Sequence, residues 1–203
     1  MSSGFPATDR TPRPRRPRLV LCARTDALAR IWQSVAADRD QIRVHHGSVL
    51  EVAADAAVSP ANSYGWMRGG IDAAYSAAWP DIEQEVRRAV LALHGGELPV
   101  GEAVLVATGV RTPRWLISAP TMREPGEILP ADTVHPYLAA RAVFRLWRDG
   151  HLEDGEPVRG AIRTIAIPGL GTGVGGLPPE VCGHQVAAAW DEVFANADHP
   201  TPA

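Results

Sequence analysis

Residues 162–178 read IRTIAIPGLGTGVGGLP: an apolar, β-branched run, a proline, then five glycines between Gly169 and Gly176. The run suits a buried strand. Beyond Pro178, Cys182, Val186, Ala189, Trp190, Val193 and Phe194 recur at helical spacing and predict a closing helix. Strand, glycine loop and helix form the unit from which α/β domains are built. Glycines let backbone N–H groups come close to an anion, and a helix starting at the loop's end adds a favourable dipole. A loop that only turned the chain would need fewer glycines.

Working outward, the same alternation recurs. RLVLCA from Arg18 predicts a first strand, Thr25-Asp26 an N-cap, and ALARIWQSVAAD a helix. IRVHHGSV and DAAVSPA predict a second and a third strand, the latter buried. In PDIEQEVRRAVLALHGG, Ile82, Val86, Ala89, Val90 and Leu93 mark one helix face, with Pro80 expected in the first turn and Gly95 past the end. GEAVLVATG and RWLISAPT predict two strands joined by a turn at 109–113. A helix is expected from His135 to about Arg148, with Leu138, Ala139, Ala142, Val143, Leu146 and Trp147 on its apolar stripe. The expected fold is α/β, with a mixed sheet of about six strands between two helical layers.

The chain has 203 residues, 45% hydrophobic and 21% charged, enough for one core and short for two. One domain is expected over 18–197, with a disordered Pro/Arg-rich segment at 1–17 and a disordered end at 198–203. No run approaches the roughly 20 apolar residues of a membrane helix, and no apolar signal segment is seen, so a cytoplasmic monomer without membrane partners is expected. All 20 basic residues are arginine. The absence of lysine excludes a P-loop phosphate clamp, a Schiff-base enzyme and a lysine nucleophile supplied by this chain. Five arginines and one acid fall in residues 1–18, leaving 15 arginines against 22 acids and a body about 7 charges negative. That argues against a broad nucleic-acid face. Cys22 and Cys182 suggest neither a disulfide framework nor a zinc site, and His45 and His46, adjacent on a strand, point to opposite faces. No metal and no cofactor are expected.

Gly171 to Gly176 also satisfies G-x-G-x-x-G, the dinucleotide fingerprint. That motif needs an acidic residue ending a second strand about 20 residues on. Asp191 has the spacing but lies in a predicted helix, with no strand left in the chain. A dehydrogenase fold is set aside.

A second glycine segment, SPANSYGWMRGGID at Ser59 to Asp72, makes the pattern specific. With GSV at Gly47 to Val49, SPAN at Ser59 to Asn62, RGGID at Arg68 to Asp72, GEA at Gly101 to Ala103 and GTGVGG at Gly171 to Gly176, the chain resembles the macrodomain family over roughly residues 40–196. Order and spacing both match. The resemblance implies a three-layer α/β/α fold that binds ADP-ribose. It implies that Gly69, Gly70 and Ile71 line the diphosphate and distal ribose, with Gly171, Thr172, Gly173, Val174 and Gly175 as the opposing phosphate loop. Asn62 would hydrogen-bond the distal ribose, and Asp72 would position or activate water at its anomeric carbon. Asp72 near a helix start also fits a plain cap or dipole partner, and Asn62 a plain turn residue.

Two departures, together with the bulky stretch carrying Tyr64 and Trp66, suggest a divergent subgroup with a partly covered pocket, and the all-arginine basic set hints at a bacterial gene. Ser48, beside Val49, stands where the family has an adenine-reading aspartate, and Arg68 replaces the first loop glycine. Arg68 either pairs with the diphosphate, gates the cleft or points to solvent. Tyr64 and Trp66 either stack on ligand or pack on the domain surface. The expected activity is hydrolysis of mono-ADP-ribose from modified protein through a glycosyl ester, or of a related ADP-ribose ester; the alternative is a reader without turnover. Expected partners are ADP-ribose or an ADP-ribosylated protein, with nucleic acid only as a modified substrate.

Overall fold

The computed structural model describes residues 16–195. The expectations for the two terminal segments fall largely outside them. The elements are β1 (Arg18–Ala23), α1 (Asp26–Ala36), β2 (Ile42–His46), a 3₁₀ turn (Val49–Glu51), β3 (Ala56–Ser59), α2 (Gly70–Ala78), α3 (Ile82–His94), β4 (Val104–Ala107) and β5 (Trp115–Ser118). They continue with α4 (His135–Asp149), α5 (Val158–Ala161), β6 (Thr164–Ile167), α6 (Pro179–Trp190) and a π turn (Asp191–Ala195).

The six strands run in the order β2-β1-β6-β3-β5-β4. All neighbours are parallel except β4, which pairs antiparallel with β5 through the expected turn. Side chains alternate across the sheet and define two cores. Leu19, Leu21, Val58, Ile117, Ile165 and Ile167 face α1, α4 and α6. Ala57, Leu116, Val104, Val106 and Ala166 face α2 and α3. The result is a three-layer α/β/α sandwich, as expected.

Local signals act as read in most places. Thr25 is extended and its side chain accepts from Leu28 N, capping α1, and Gly95 is left-handed just past α3. Pro80 is a correction: it precedes α3, which starts at Ile82 after Asp81 adopts a left-handed φ of 67°. The buried face of α4 is wider than a single stripe, because Ala140 and Phe144 are also fully buried. Phe144 sits in an aromatic cluster with Trp147, Trp190 and Phe194, and the last of these comes from the π turn rather than a continued α-helix.

The strand order positions the site. From β1 the chain steps outward to β2, then crosses to β3 on the other side of β6. Loops leaving β1 and β3 therefore diverge, and a crevice opens over the carboxyl end of β6, the place where such sheets take ligands.

Candidate functional site

That crevice is a cleft of about 780 Å³. Its walls come from four strand ends and two loops: Arg24 and Thr25 after β1, Gly47 to Val49 after β2, Pro60 to Asn62 after β3, Thr121 and Met122 after β5, the segment from Arg68 to Asp72, and the glycine loop after β6. Every ligand-contact residue expected from the sequence lines it, as does Asp72. Positions so far apart in the chain meet because parallel strands deliver their following loops to one edge of the sheet.

The glycine loop is built to leave donors free. Leu177 N donates to Gly171 O at 3.0 Å and Gly176 N to Gly173 O at 3.1 Å, while Leu129 N reaches Gly175 O at 2.9 Å. Among the described residues, the amides of Gly171, Thr172, Gly173, Val174 and Gly175 donate to no protein acceptor. Gly171 has φ +71°, which a β-carbon disfavours, and a β-carbon at Gly175 would lie 2.7 Å from Gly171 O and 2.9 Å from Leu129 Cδ1. Leu129, buried with Met122 and Leu177, thus braces the loop from behind.

Opposite it, α2 begins at Gly70 after an extended Gly69 that supplies no side-chain cap. The amides of Gly70, Ile71 and Asp72 likewise donate to no protein acceptor among the described residues, as expected of a first helical turn. Val174 bridges the two rows: β-carbons placed at Gly69 and Gly70 would lie 3.7 and 3.5 Å from its Cγ2. Two neighbouring rows of unspent N–H groups, one of them at a helix N-terminus, are the chemistry that suits an anion.

Among the described residues, Asp72 is the one carboxylate lining the cleft. It is only 6% exposed, and its Oδ1 accepts from Ser59 Oγ at 2.6 Å. Burial pushes its pKa up from 3.8 to about 7, against the lowering effect of the Ser59 bond. Tyr75 holds the wall behind it, with its ring stacked on Trp79 at 4.6 Å and its hydroxyl donating to Val58 O.

Asn62 is more committed than its sequence context suggested. Its Oδ1 accepts from Tyr64 N and Trp66 N, and its Nδ2 donates to Trp66 O at 2.7 Å. It holds the 62–66 turn in the manner of an Asx turn, which leaves one Nδ2 hydrogen for a ligand. Ser48 is committed too. Its hydroxyl accepts from Leu50 N, and Glu51 accepts from Ser48 N, closing a capping box on the 3₁₀ turn. Glu51 also meets His45 Nε2 at 2.9 Å, whereas His46 faces Asp26.

Arg68 neither buries nor closes the cleft. Its side chain is 71% exposed, lies 4.2 Å above the Trp66 ring and meets Glu83 at 3.5 Å. Arg87 also lies against that ring, at 3.6 Å, so Trp66 is a cation–π platform on the cleft wall. Tyr64 instead packs outside, with its hydroxyl donating to Glu124 and Arg123 lying over its ring. The sequence reading missed Arg24, Thr25, Thr121 and Met122, which line the cleft without any motif. Their signal was a position at or just past the end of a predicted strand, with Thr25 read as a helix cap.

The Macro domain family model matches residues 58–186. The chain is a macrodomain. A protein of Aquifex aeolicus is 39% identical over 141 residues, 69% of this chain and 74% of that protein. An O-acetyl-ADP-ribose deacetylase of Escherichia fergusonii is 29% identical over 156 residues, covering 69% of this chain and 72% of its own. Among solved structures, the macrodomain of Mycobacterium tuberculosis DarG superposes with a TM-score of 0.59 at 23% identity, covering 74% of this chain and 90% of that one. Neither thiol of this macrodomain is poised as a nucleophile: burial pushes Cys22 and Cys182 up to about 12. No helix among the described residues is long and apolar enough to cross a membrane.

Proposed function

We propose that this macrodomain binds ADP-ribose and hydrolyses it from a modified protein or a related ADP-ribose ester. The observation that carries the reading is the buried Asp72 carboxyl, pushed up to about 7, beside two rows of unspent backbone amides. The amides of Gly70 and Ile71 on one side and of Gly171 to Gly175 on the other bracket the diphosphate. The Ser48–Val49 end then receives the nucleoside and the Asn62–Asp72 end the distal ribose.

At that end a carboxyl titrating near neutrality exchanges a proton with water inside the working pH range. Water attacks the anomeric carbon as the bond to the acceptor oxygen breaks, and the ionised form of Asp72 stabilises the positive charge that develops on the ring. The remaining Asn62 Nδ2 hydrogen serves a ribose hydroxyl. Trp66, with Arg68 over its face, lies where the acceptor leaves the cleft.

A second reading, a reader without turnover, is favoured by the engagement of Asn62 and Ser48 in their own turns. An acidic-residue-linked mono-ADP-ribosylated protein separates the two when free ADP-ribose is followed. Hydrolysis requires release by the wild type and its loss in Asp72→Ala with ADP-ribose affinity largely kept. Binding without release by the wild type leaves the reader.

A further inference from the structure

Behind Asp72 lies a pair of hydroxyls that the reading above does not use. Ser59 on β3 and Ser118 on β5 are register partners in parallel strands, so both project to the face covered by α2 and α3. Their neighbours on that face, Ala57, Leu116, Val104 and Ala166, are apolar. Both serines are fully buried. Ser59 Oγ is bonded to Asp72 Oδ1 at 2.6 Å, whereas Ser118 Oγ is the one buried side-chain polar atom among the described residues without a hydrogen-bond partner. Orphaned buried hydroxyls are rare because losing water without a replacement bond is costly. One kept at the same level of the sheet as a titrating carboxyl's partner has a use when that carboxyl changes charge.

We propose that Ser59 and Ser118 are positioning residues that act as a two-hydroxyl relay, holding the Asp72 carboxyl in both of its charge states. With Asp72 ionised, Ser59 donates to Oδ1. With Asp72 protonated, the carboxyl O–H donates to Ser59 Oγ, and Ser59 turns its own hydrogen to Ser118 Oγ. Adjacent strands are about 4.8 Å apart, so a rotation of the unpartnered Ser118 side chain brings its oxygen within reach of Ser59 Oγ, which stays against Asp72. Nothing is gained or lost except the one proton Asp72 binds. In both states Oδ1 stays tied to the sheet, and Oδ2, which has no partner among the described residues, is presented to the cleft.

The other ionisable groups near Asp72 do not compete over neutral pH. Tyr75, on the same helix, is held well above its usual range by burial, and Cys22, from β1, is pushed up to about 12. Glu83, from α3, is spent on Met67 N and Arg68. Arg24 follows β1 at the cleft edge, and the Arg68 side chain is turned away over the Trp66 ring toward Glu83.

The inference rests on Asp72 as the acid–base group, and its test does not need turnover. The Asp72 carboxyl is titrated by ¹³C NMR in the wild type, Ser59→Ala, Ser118→Ala and Ser59→Thr, and ADP-ribose release is profiled against pH. Ser59→Ala removes the donor to the ionised form and moves the midpoint up by about half to one pH unit. Ser118→Ala removes the acceptor the protonated form needs and moves it down by a similar amount, while Ser59→Thr returns it toward the wild-type value. Midpoints that move in the same direction, or an unmoved midpoint in Ser118→Ala, overturn the relay. Opposite movements without ADP-ribose release keep the relay and remove the hydrolase.

Discussion

Replacing Asp72 by asparagine should make the protein more stable above neutral pH and leave it nearly unchanged in acid. Asp72 sits in the first turn of α2 with 6% of its surface exposed, and its pKa rises from 3.8 to about 7. Below pH 4 the folded and unfolded chains both hold the proton, so stability is undiminished. Between pH 4 and 7 the unfolded chain gives it up while the folded one keeps it, and stability falls with rising pH until the folded carboxyl also ionises. A rise of about 3 in pKa corresponds to roughly 4 kcal/mol at 1.36 kcal/mol each. That is an upper value, because the site relaxes and water enters around a real buried charge. Exposed carboxylates such as Glu97, lowered by Arg123, work in the opposite sense, so the wild type alone does not isolate Asp72. The difference between wild type and Asp72→Asn does, because the amide that replaces the carboxyl cannot ionise. Urea unfolding at pH 4.5 and pH 8.5 reads it: the variant should gain several kcal/mol on the wild type between the two. An equal difference at both pH values would show that Asp72 is solvated or paired, and would remove the basis for its near-neutral titration.

Other perturbations test the cleft and the core. In Gly175→Ala the new β-carbon meets Gly171 O at 2.7 Å, so the loop must shift; calorimetry should show ADP-ribose affinity at least about tenfold weaker with the fold retained. Trp147→Ala removes a side chain buried against Phe194 whose Nε1 donates to Ile162 O, and should cost about 3–5 kcal/mol in chemical denaturation. Cys22 and Cys182 should be silent to a thiol reagent at pH 8 in the native protein and both react once it is unfolded.

The strand and helix periods of IRTIAI, RLVLCA and the α3 segment are local properties of side-chain spacing, so the alternating α/β order was legible before any coordinates. The glycine loop was legible for the same reason: a β-carbon disfavours the left-handed φ of Gly171 and, at Gly175, would crowd Gly171 O and Leu129. The π turn after Trp190 and the left-handed Asp81 were not, since both depend on what the helix ends pack against. Nor was the fate of Asn62 and Ser48, whose side chains can bond a ligand or their own backbone with equal ease; only the path of residues 62–66 and 48–51 shows that both chose the backbone.

What the sequence by itself determined is thus the order of elements, the two glycine segments and the identity of Asp72 as a cleft candidate. Tertiary structure alone decided the placement of β6 between β1 and β3, which brings loops more than 100 residues apart to one crevice. It also decided the chemistry of Asp72. An aspartate in a sequence has an ordinary pKa, and the shift to about 7 arises only when folding strips away its water and leaves one serine hydroxyl in exchange.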